Sequence, residues 1–298
     1  MAMGNIVTKR KTSGLKTIKL QWILIVFLMG LFYCARDAMN SDIRYPYDWL
    51  GTPGFGGDID RSHIREPSGI CFHPLRKTLF VVSDEGEVVE ILTDGTRVSS
   101  FLIPGDLEDI TVDPATGFLY IIVEGEDVIL EINPDLKEVT RRFPVARKYG
   151  NNPNFIQRQT VTFDNGIESL TFVPDATHPE GGTFYAGNQW DPSIIIEVLV
   201  PLRTSREQSA EARIIRTLPF RLDDPAAMCY DPGRKVLCIV SDADNIYSEI
   251  TLKGKLTAQY AFPGDNQEGI AWDDKGNLYI AQDSGGILKV KDRRKSLH

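Results

Sequence analysis

Apolar and polar residues alternate in short runs along the chain after residue 63, and each run ends in turn-forming residues. The same block recurs five times: two apolar strands separated by a turn rich in Pro, Asp and Gly, then a third alternating strand. A further alternating segment follows each of the first four blocks. Period-two alternation with β-branched and aromatic residues is typical of strands, so the pattern predicts four strands per unit.

The spacing of the blocks predicts a β-propeller. Successive blocks begin 40, 60, 58 and 42 residues apart, at 68, 108, 168, 226 and 268. The shorter spacings are those of a four-stranded propeller blade, and a single blade cannot bury both of its faces. We predict an all-β ring of five blades, with a sixth, degenerate blade as the alternative. The fifth block lacks a clear fourth strand, so a strand from 43–64 is expected to complete it.

An uncharged hydrophobic segment of 16 residues, 20–35, follows a basic N-terminal stretch. Its length and flanking charges predict one transmembrane helix that keeps the basic stretch cytoplasmic and places the propeller on the periplasmic side of the inner membrane. Two alternatives remain: cleavage by signal peptidase near Ala38, and lipidation at Cys34, which Tyr33 disfavours. The predicted organisation is a cytoplasmic basic segment, a transmembrane anchor or signal segment, a linker with the ring-closing strand, and the propeller domain: 1–19, 20–36, 37–62 and 63–298.

Charge is distributed unevenly along the chain. The net charge is −8, and because residues 1–40 sum to +5, the remainder carries −13. An acidic body of this size repels the phosphates of nucleic acid, so nucleic-acid binding is excluded. It is compatible with a cation or a basic partner.

Aligning the blocks brings polar residues into two rows. The first row opens the innermost strand of each block, and the second ends the following strand. Because a strand, a turn and a returning strand bring the chain back to one end of a blade, both rows are expected at one end of the channel. The first row is Ser68, Glu108, Glu168, Ala226 and Glu268, and the second is Asp84, Glu124, Asn188, Asp242 and Asp283.

Carboxylates held this close repel one another unless a cation lies between them. Oxygen ligands from Glu, Asp and Asn suit a hard cation such as calcium. We therefore expect a metal site at Glu108, Glu168, Glu268 and Asn188, with Asp84, Glu124, Asp242, Asp283 and Trp190 as further ligand-binding residues. The alternative is that these acids are solvated turn formers at strand ends.

The motifs LEDI, GIESL, QEGIAW and GNLYIAQ, together with the N-terminal hydrophobic segment, resemble the SdiA-regulated family, the YjiK-like propellers of bacterial envelopes. The resemblance covers residues 20–290. It implies a five-bladed periplasmic propeller and supplies no catalytic residues. The expected function is non-enzymatic binding of calcium, a small ligand or an envelope protein.

A metal-dependent hydrolase of the lactonase or phosphoesterase type is the alternative function. Such an enzyme would use a metal at an acidic centre to polarise the bond and a carboxylate as base. It would also need a His or Lys near the metal, and neither row contains one. The sequence therefore assigns no catalytic residue.

Overall fold

The computed structural model describes residues 57–157, 166–190, 192–262, 264 and 266–291. Every regular element in this part of the chain is a strand, which confirms the all-β class for these residues. The strands in chain order are β1 (Gly57–Asp58), β2 (Pro67–His73), β3 (Thr78–Ser83), β4 (Glu87–Leu92), β5 (Arg97–Leu102), β6 (Leu107–Val112), β7 (Leu119–Val123), β8 (Val128–Asn133), β9 (Glu138–Ala146), β10 (Ile167–Pro174), β11 (Gly182–Asn188), β12 (Ile194–Leu199), β13 (Ala212–Thr217), β14 (Ala227–Asp231), β15 (Val236–Ser241), β16 (Ile246–Thr251), β17 (Leu256–Ala261), β18 (Gln267–Trp272), β19 (Asn277–Gln282) and β20 (Ile287–Lys291).

Consecutive strands pair antiparallel in four-stranded units, as the block pattern predicts. The units are β2–β5, β6–β9, β10–β13, β14–β17 and β18–β20 completed by β1. The second and third units join through a short parallel pairing of β9 with β13, which aligns Val145 with Ala212. We call these units 1 to 5 in chain order.

Strand β1 completes unit 5, and it lies inside the segment 43–64 that was expected to supply this strand. Gly57 aligns with Lys289 and Asp58 with Leu288. The Asp58 carboxylate accepts the backbone N–H of Ile287 at 3.0 Å, and the N–H of Ile59 donates to the Ile287 carbonyl at 2.7 Å. The first and last described strands are therefore held together by backbone and side-chain hydrogen bonds.

The core lies between the units. Each of five hydrophobic clusters combines residues of two units, and together the clusters join units 1 to 2, 2 to 3, 3 to 4, 4 to 5 and 5 to 1. Packing on both faces explains why β3, β7 and β15 are buried at every position and β11 and β19 at every position but one. The outermost β5 is exposed or half-buried throughout.

The innermost strands β2, β6, β10, β14 and β18 contact one another in cyclic order around a central channel. Two glycines permit the closest approach. A Cβ at Gly69 would lie 2.6 Å from the Cα of Asp109, and one at Gly269 would lie 2.7 Å from the Ser68 carbonyl oxygen. The glycines of the SGI and EGI motifs therefore set the spacing between adjacent inner strands.

The predicted transmembrane segment, 20–36, lies outside the described residues. Among those that are described, no helix is long and apolar enough to cross a membrane.

Candidate functional site

The first-row residues of four units occupy β-bulges. The pairing of each inner strand with its neighbour shifts by one residue at Ser68, Glu108, Glu168 and Glu268, so each is the unpaired extra residue of its strand. A bulge turns the side chain away from the regular alternation and is common beside functional sites. The repeated bulge is what sets these side chains apart from the inner-strand residues that follow them.

The second row, whose residues follow the second strand of each unit, lies beside the bulges. The backbone N–H of Asp84 donates to the Glu66 carbonyl at 3.3 Å, that of Glu124 to Asp106 at 3.0 Å, and that of Asp283 to Asn266 at 2.9 Å. Each acceptor stands two residues before its bulge position. In unit 4, the Asp242 carboxylate instead accepts the N–H of Gln267 in unit 5, at 3.1 Å. Four predicted carboxylates thus lie at the channel end where the inner strands begin.

Unit 3 departs from the alignment by one residue. Asn188 pairs with Ile167 in β10, a register position equivalent to that of Ser83 opposite Pro67 in β2. The strand-end position belongs to Gln189, whose N–H donates to the Gly166 carbonyl at 3.0 Å. The sequence alignment assigned Asn188 to that position because the longer turn of the third block obscured the register.

Asn188 is fully buried beside the bulged Glu168. Its amide nitrogen donates to the carbonyls of Trp190 at 2.7 Å and Pro192 at 2.8 Å, while its Oδ1 has no hydrogen-bond partner among the described residues. A buried amide oxygen without a hydrogen-bond partner is available to a cation. The Trp190 side chain is 47% exposed at the surface.

A third acidic set was missed by the alignment. Glu66, Asp106 and Asp224 each stand two residues before a first-row position, in the loop that enters the inner strand. Asp106 belongs to a cluster with Asp84 and Glu108, in which one oxygen atom from each residue lies within 4.8 Å of the others. The recurrence of an acid at this offset in three of the five blocks is the signal that could have revealed the set.

Burial and mutual repulsion raise the pKa values of all three first-row glutamates. Burial contributes most to the raised pKa of Glu108, followed by repulsion from Asp84, Glu124, Asp106 and Glu268. Glu168 follows the same order, with burial first and then Asp224, Glu108 and Glu124. Burial, then Asp283, Asp84, Asp242 and Asp224, raise the pKa of Glu268 to about 9. These shifts place the three sets in one electrostatic cluster, which we call the acidic end.

The surroundings of Asp84 act on its pKa in opposite directions. Burial raises its pKa most, the hydrogen bond that the Ser68 hydroxyl donates to Oδ1 lowers it, and Asp106 and Asp283 raise it further, so that together they bring the pKa to about 6. Ser68 therefore replaces the missing first-row carboxylate of unit 1 with a hydrogen-bond donor. The result is a carboxyl group that changes charge near a pH of about 6.

Several basic side chains of the described residues pair with acids away from the acidic end, whereas Arg147 pairs with the buried Asp127, three residues after Glu124. Arg76 pairs with Glu90, Arg141 with Glu131, and Arg234 with Glu249, and each glutamate lies on the third strand of its unit. None of the ion pairs observed in this part of the chain involves Glu108, Glu168 or Glu268. The glutamates at the centre of the acidic end therefore lack a basic counter-charge from these residues.

Of the described histidines, His63 lines a small pocket together with Glu66 and Asp283 of the acidic end, whereas His73 lies elsewhere. His73 is buried at the opposite end of β2, where its Nε2 lies 3.0 Å from the Gly117 carbonyl oxygen, and burial lowers its pKa. It stabilises the turn between β6 and β7. The acidic end therefore supplies carboxylates and amide oxygens as ligands for a hard cation.

Four-stranded units packed in cyclic order around a channel define a β-propeller with an acidic channel end. The sequence matches the SdiA-regulated family over residues 51–284, and the chain belongs to this family. The resemblance inferred from its motifs is confirmed.

Two solved structures show similarity to the chain. One is the β-propeller domain of Cps50 (Swd1) from Myceliophteria thermophila, with 11% identity over 77% of this chain and 98% of that chain, and a TM-score of 0.44. The other is a structural genomics protein of unknown function from Bacteroides thetaiotaomicron VPI-5482, with 12% identity over 79% of this chain and 72% of that chain, and a TM-score of 0.49.

Proposed function

We propose that the protein is a membrane-anchored, periplasmic propeller of five blades that binds calcium at its acidic end without catalysing a reaction. The cluster of Asp84, Asp106 and Glu108 carries this proposal, because three carboxylate oxygens within 4.8 Å repel one another and raise the pKa values of the group unless a cation lies among them.

The choice of calcium rests on the kind and number of ligands. Calcium takes six to eight oxygen ligands in a flexible geometry, whereas magnesium demands a near-ideal octahedron. The acidic end supplies carboxylates of two lengths from all three sets, and the unpartnered Oδ1 of Asn188 adds an amide oxygen. Glu108 is the central ligand, since its pKa responds to carboxylates of unit 1, unit 2 and unit 5.

Five blades account for the described strands. Five four-stranded units with five shared hydrophobic clusters use every strand of this part of the chain, and β1 supplies the strand that unit 5 would otherwise lack. The order of segments supports the membrane anchor. The uncharged segment 20–35 follows a basic stretch, and positive charge before a membrane span favours a cytoplasmic N-terminus. The propeller then lies in the periplasm, where a small ligand or an envelope protein can reach bound calcium.

The test is a calcium titration of the full-length protein in detergent, with thermal unfolding in calcium and in chelator. A bound ion should stabilise the folded state by about 2.7 kcal/mol when free calcium is about 100 times the Kd. Glu108→Gln and Asp84→Asn should lose most of this gain. Glu138→Gln, an exposed glutamate on β9, is the matched control and should keep it.

Identical unfolding curves in calcium and in chelator for the unaltered protein would contradict the proposal. Turnover of a lactone or phosphoester that disappears in Glu108→Gln would assign the acidic end to a hydrolase instead. Since both amide substitutions remove a repelling charge, each variant should remain folded in chelator, and a circular dichroism spectrum checks this.

A further inference from the structure

A cavity of about 670 Å³ opens at the end of the channel opposite to the acidic end. All five inner strands contribute to its wall through their last residues and the turns that follow them. Half-buried or buried side chains dominate this wall, among them Phe72, Val112, Phe172, Cys229, Tyr230 and Trp272. Its volume lies within the roughly 300–1,000 Å³ of small-molecule pockets.

The inner strands separate this cavity from the acidic end. Just beyond the bulges, the buried Asp109 accepts the backbone N–H groups of Ile110 and Leu170, both at 2.8 Å, and its carboxylate also bonds the N–H of Met228. Gly69 brings β2 against this point, since a Cβ there would meet the backbone of Asp109. Three units are thereby tied together across the channel, and the cavity is a site of its own.

The charged groups in the cavity wall already have ion-pair or hydrogen-bond partners. Arg234 donates to Asp231 at 2.6 Å and also pairs with Glu249, while Asp273 accepts the side-chain N–H of Asn277 at 2.6 Å. A charged ligand would have to leave water without gaining a new counter-charge from these groups. The wall therefore favours a neutral ligand.

The mouth of the cavity is formed by the turns that recur in each block. Proline occupies the same aligned position in four of the five units, at the end of the inner strand or in the turn after it, and all four line the cavity: Pro74, Pro114, Pro174 and Pro232. Because proline fixes its φ angle, these turns are held in one backbone conformation. A preformed mouth lowers the ordering cost of binding.

We propose that this cavity binds a neutral, largely apolar small molecule that carries an aromatic ring. Apolar surface gives the affinity, and the rings of Tyr230 and Trp272 provide faces and edges for an aromatic group. This site goes beyond the calcium site and does not depend on it.

The test uses the full-length protein in detergent and a neutral photoreactive aromatic probe, 3-trifluoromethyl-3-phenyldiazirine. After irradiation, peptide mass spectrometry locates the inserted carbene. Label is expected in the peptides that contain Phe72, Val112 and Trp272, and excess naphthalene should displace it. Label at the exposed Leu102 of β5 serves as an internal reference that naphthalene does not displace.

Two substitutions that fill the cavity from different units, Val112→Trp and Cys229→Met, should abolish the displaceable label. Val98→Trp places the same bulk on the exposed β5 and should leave it unchanged. Using two units guards against one variant that fails to fold, and thermal unfolding identifies such a variant.

Label that persists in both folded cavity variants, or that naphthalene never displaces, would overturn the proposal. Chelator should not alter the displaceable label, so loss of calcium binding and loss of cavity binding are distinguishable results.

Discussion

Asp84 and Glu108 belong to neighbouring units, yet an oxygen atom of one carboxylate lies within 4.8 Å of an oxygen atom of the other. Asp84 follows β3 in unit 1, whereas Glu108 is the bulged residue of β6 in unit 2. Their repulsion therefore acts between two units rather than within one. A cation shared by the pair would turn this repulsive contact into a link between units.

The acidic end predicts an inverse dependence of stability on pH in the absence of a cation. Glu268 has its pKa raised from 4.5 to about 9, so above the ordinary value the folded protein holds a proton that the unfolded chain has released. The free energy of unfolding must then fall as pH rises. In chelator, the melting temperature of the full-length protein should decrease between about pH 5 and about pH 9.

Saturating calcium should flatten this decrease, because the ion favours the charged carboxylates. Glu268→Gln should also reduce the slope in chelator, since it removes one of the groups responsible. A melting temperature that rises over the same range would contradict the raised pKa values.

Because the inner strands lie in close contact, adding one methyl group at their interface should lower the free energy of unfolding substantially. Gly69→Ala places a Cβ 2.6 Å from the Cα of Asp109 and 2.7 Å from the Glu108 carbonyl oxygen, and neither backbone atom can move freely. Overpacking of this kind should lower the free energy of unfolding by about 3 kcal/mol. Chemical denaturation of the full-length protein measures the change.

Gly57→Ala is the matched control, because a Cβ there meets no atom within 4 Å. This substitution should change the free energy of unfolding by no more than about 0.5 kcal/mol. Equal losses for the two variants would mean that the contact at Gly69 does not limit stability.

The ion pair between Glu131 and Arg141 predicts that burial determines how much a salt bridge contributes to the free energy of unfolding. Glu131 is only 6% exposed and accepts hydrogen bonds from Thr140 at 2.7 Å, Arg141 at 2.8 Å and Tyr120 at 3.2 Å. Glu131→Ala leaves a largely buried guanidinium without its carboxylate, so the unfolding free energy should fall by about 3 kcal/mol.

The adjacent pair of Glu126 and Arg142 gives the comparison, since both side chains are about half exposed. Glu126→Ala should lower the free energy of unfolding by about 0.5 kcal/mol. Similar losses at the two sites in denaturant titrations would argue against burial as the cause.

Ring closure at β1 predicts local opening when its side-chain bond is removed. The Asp58 carboxylate accepts the N–H groups of Ile287 at 3.0 Å and Asp60 at 2.8 Å. Asp58→Ala should lower stability by about 2 kcal/mol, since each hydrogen bond contributes about 1 kcal/mol net. Hydrogen exchange at the Ile287 amide should accelerate in this variant.

Asp94→Ala removes a bond of similar length, from the Thr96 N–H at 3.0 Å, within one exposed turn. It should have a smaller effect on stability and none on exchange at Ile287. If both variants accelerate that exchange equally, the closure does not depend on Asp58.

The repeats were visible in the sequence because each blade must satisfy the same packing on both faces. Segments such as LFVVS and LCIVS became the fully buried strands β3 and β15. The register of unit 3 was not recoverable, since its longer turn hides whether Asn188 or Gln189 ends the strand. Alternation shows which residues are apolar, but a bulge depends on how two strands pair.

Asp106 shows a second limit of the sequence. It is exposed in a loop, one of many acids in such positions, and its local pattern resembles a solvated turn. Only the packing of unit 2 against unit 1 brings its carboxylate to Asp84, and that contact is between units. Repeats therefore indicate which positions are equivalent, whereas the distances between them come from the closed ring.

The pairing of β1 with β20 joins residues 229 positions apart in the chain, as in the bond between Ile287 and Asp58. Contacts of such separation form late in folding, because the intervening chain must first become compact. A growing chain exposes Asp58 long before its partner has been synthesised. Any product that stops before β20 keeps an unpaired strand at each open edge, so ring closure distinguishes finished chains from incomplete ones and leaves the latter open to proteolysis and aggregation.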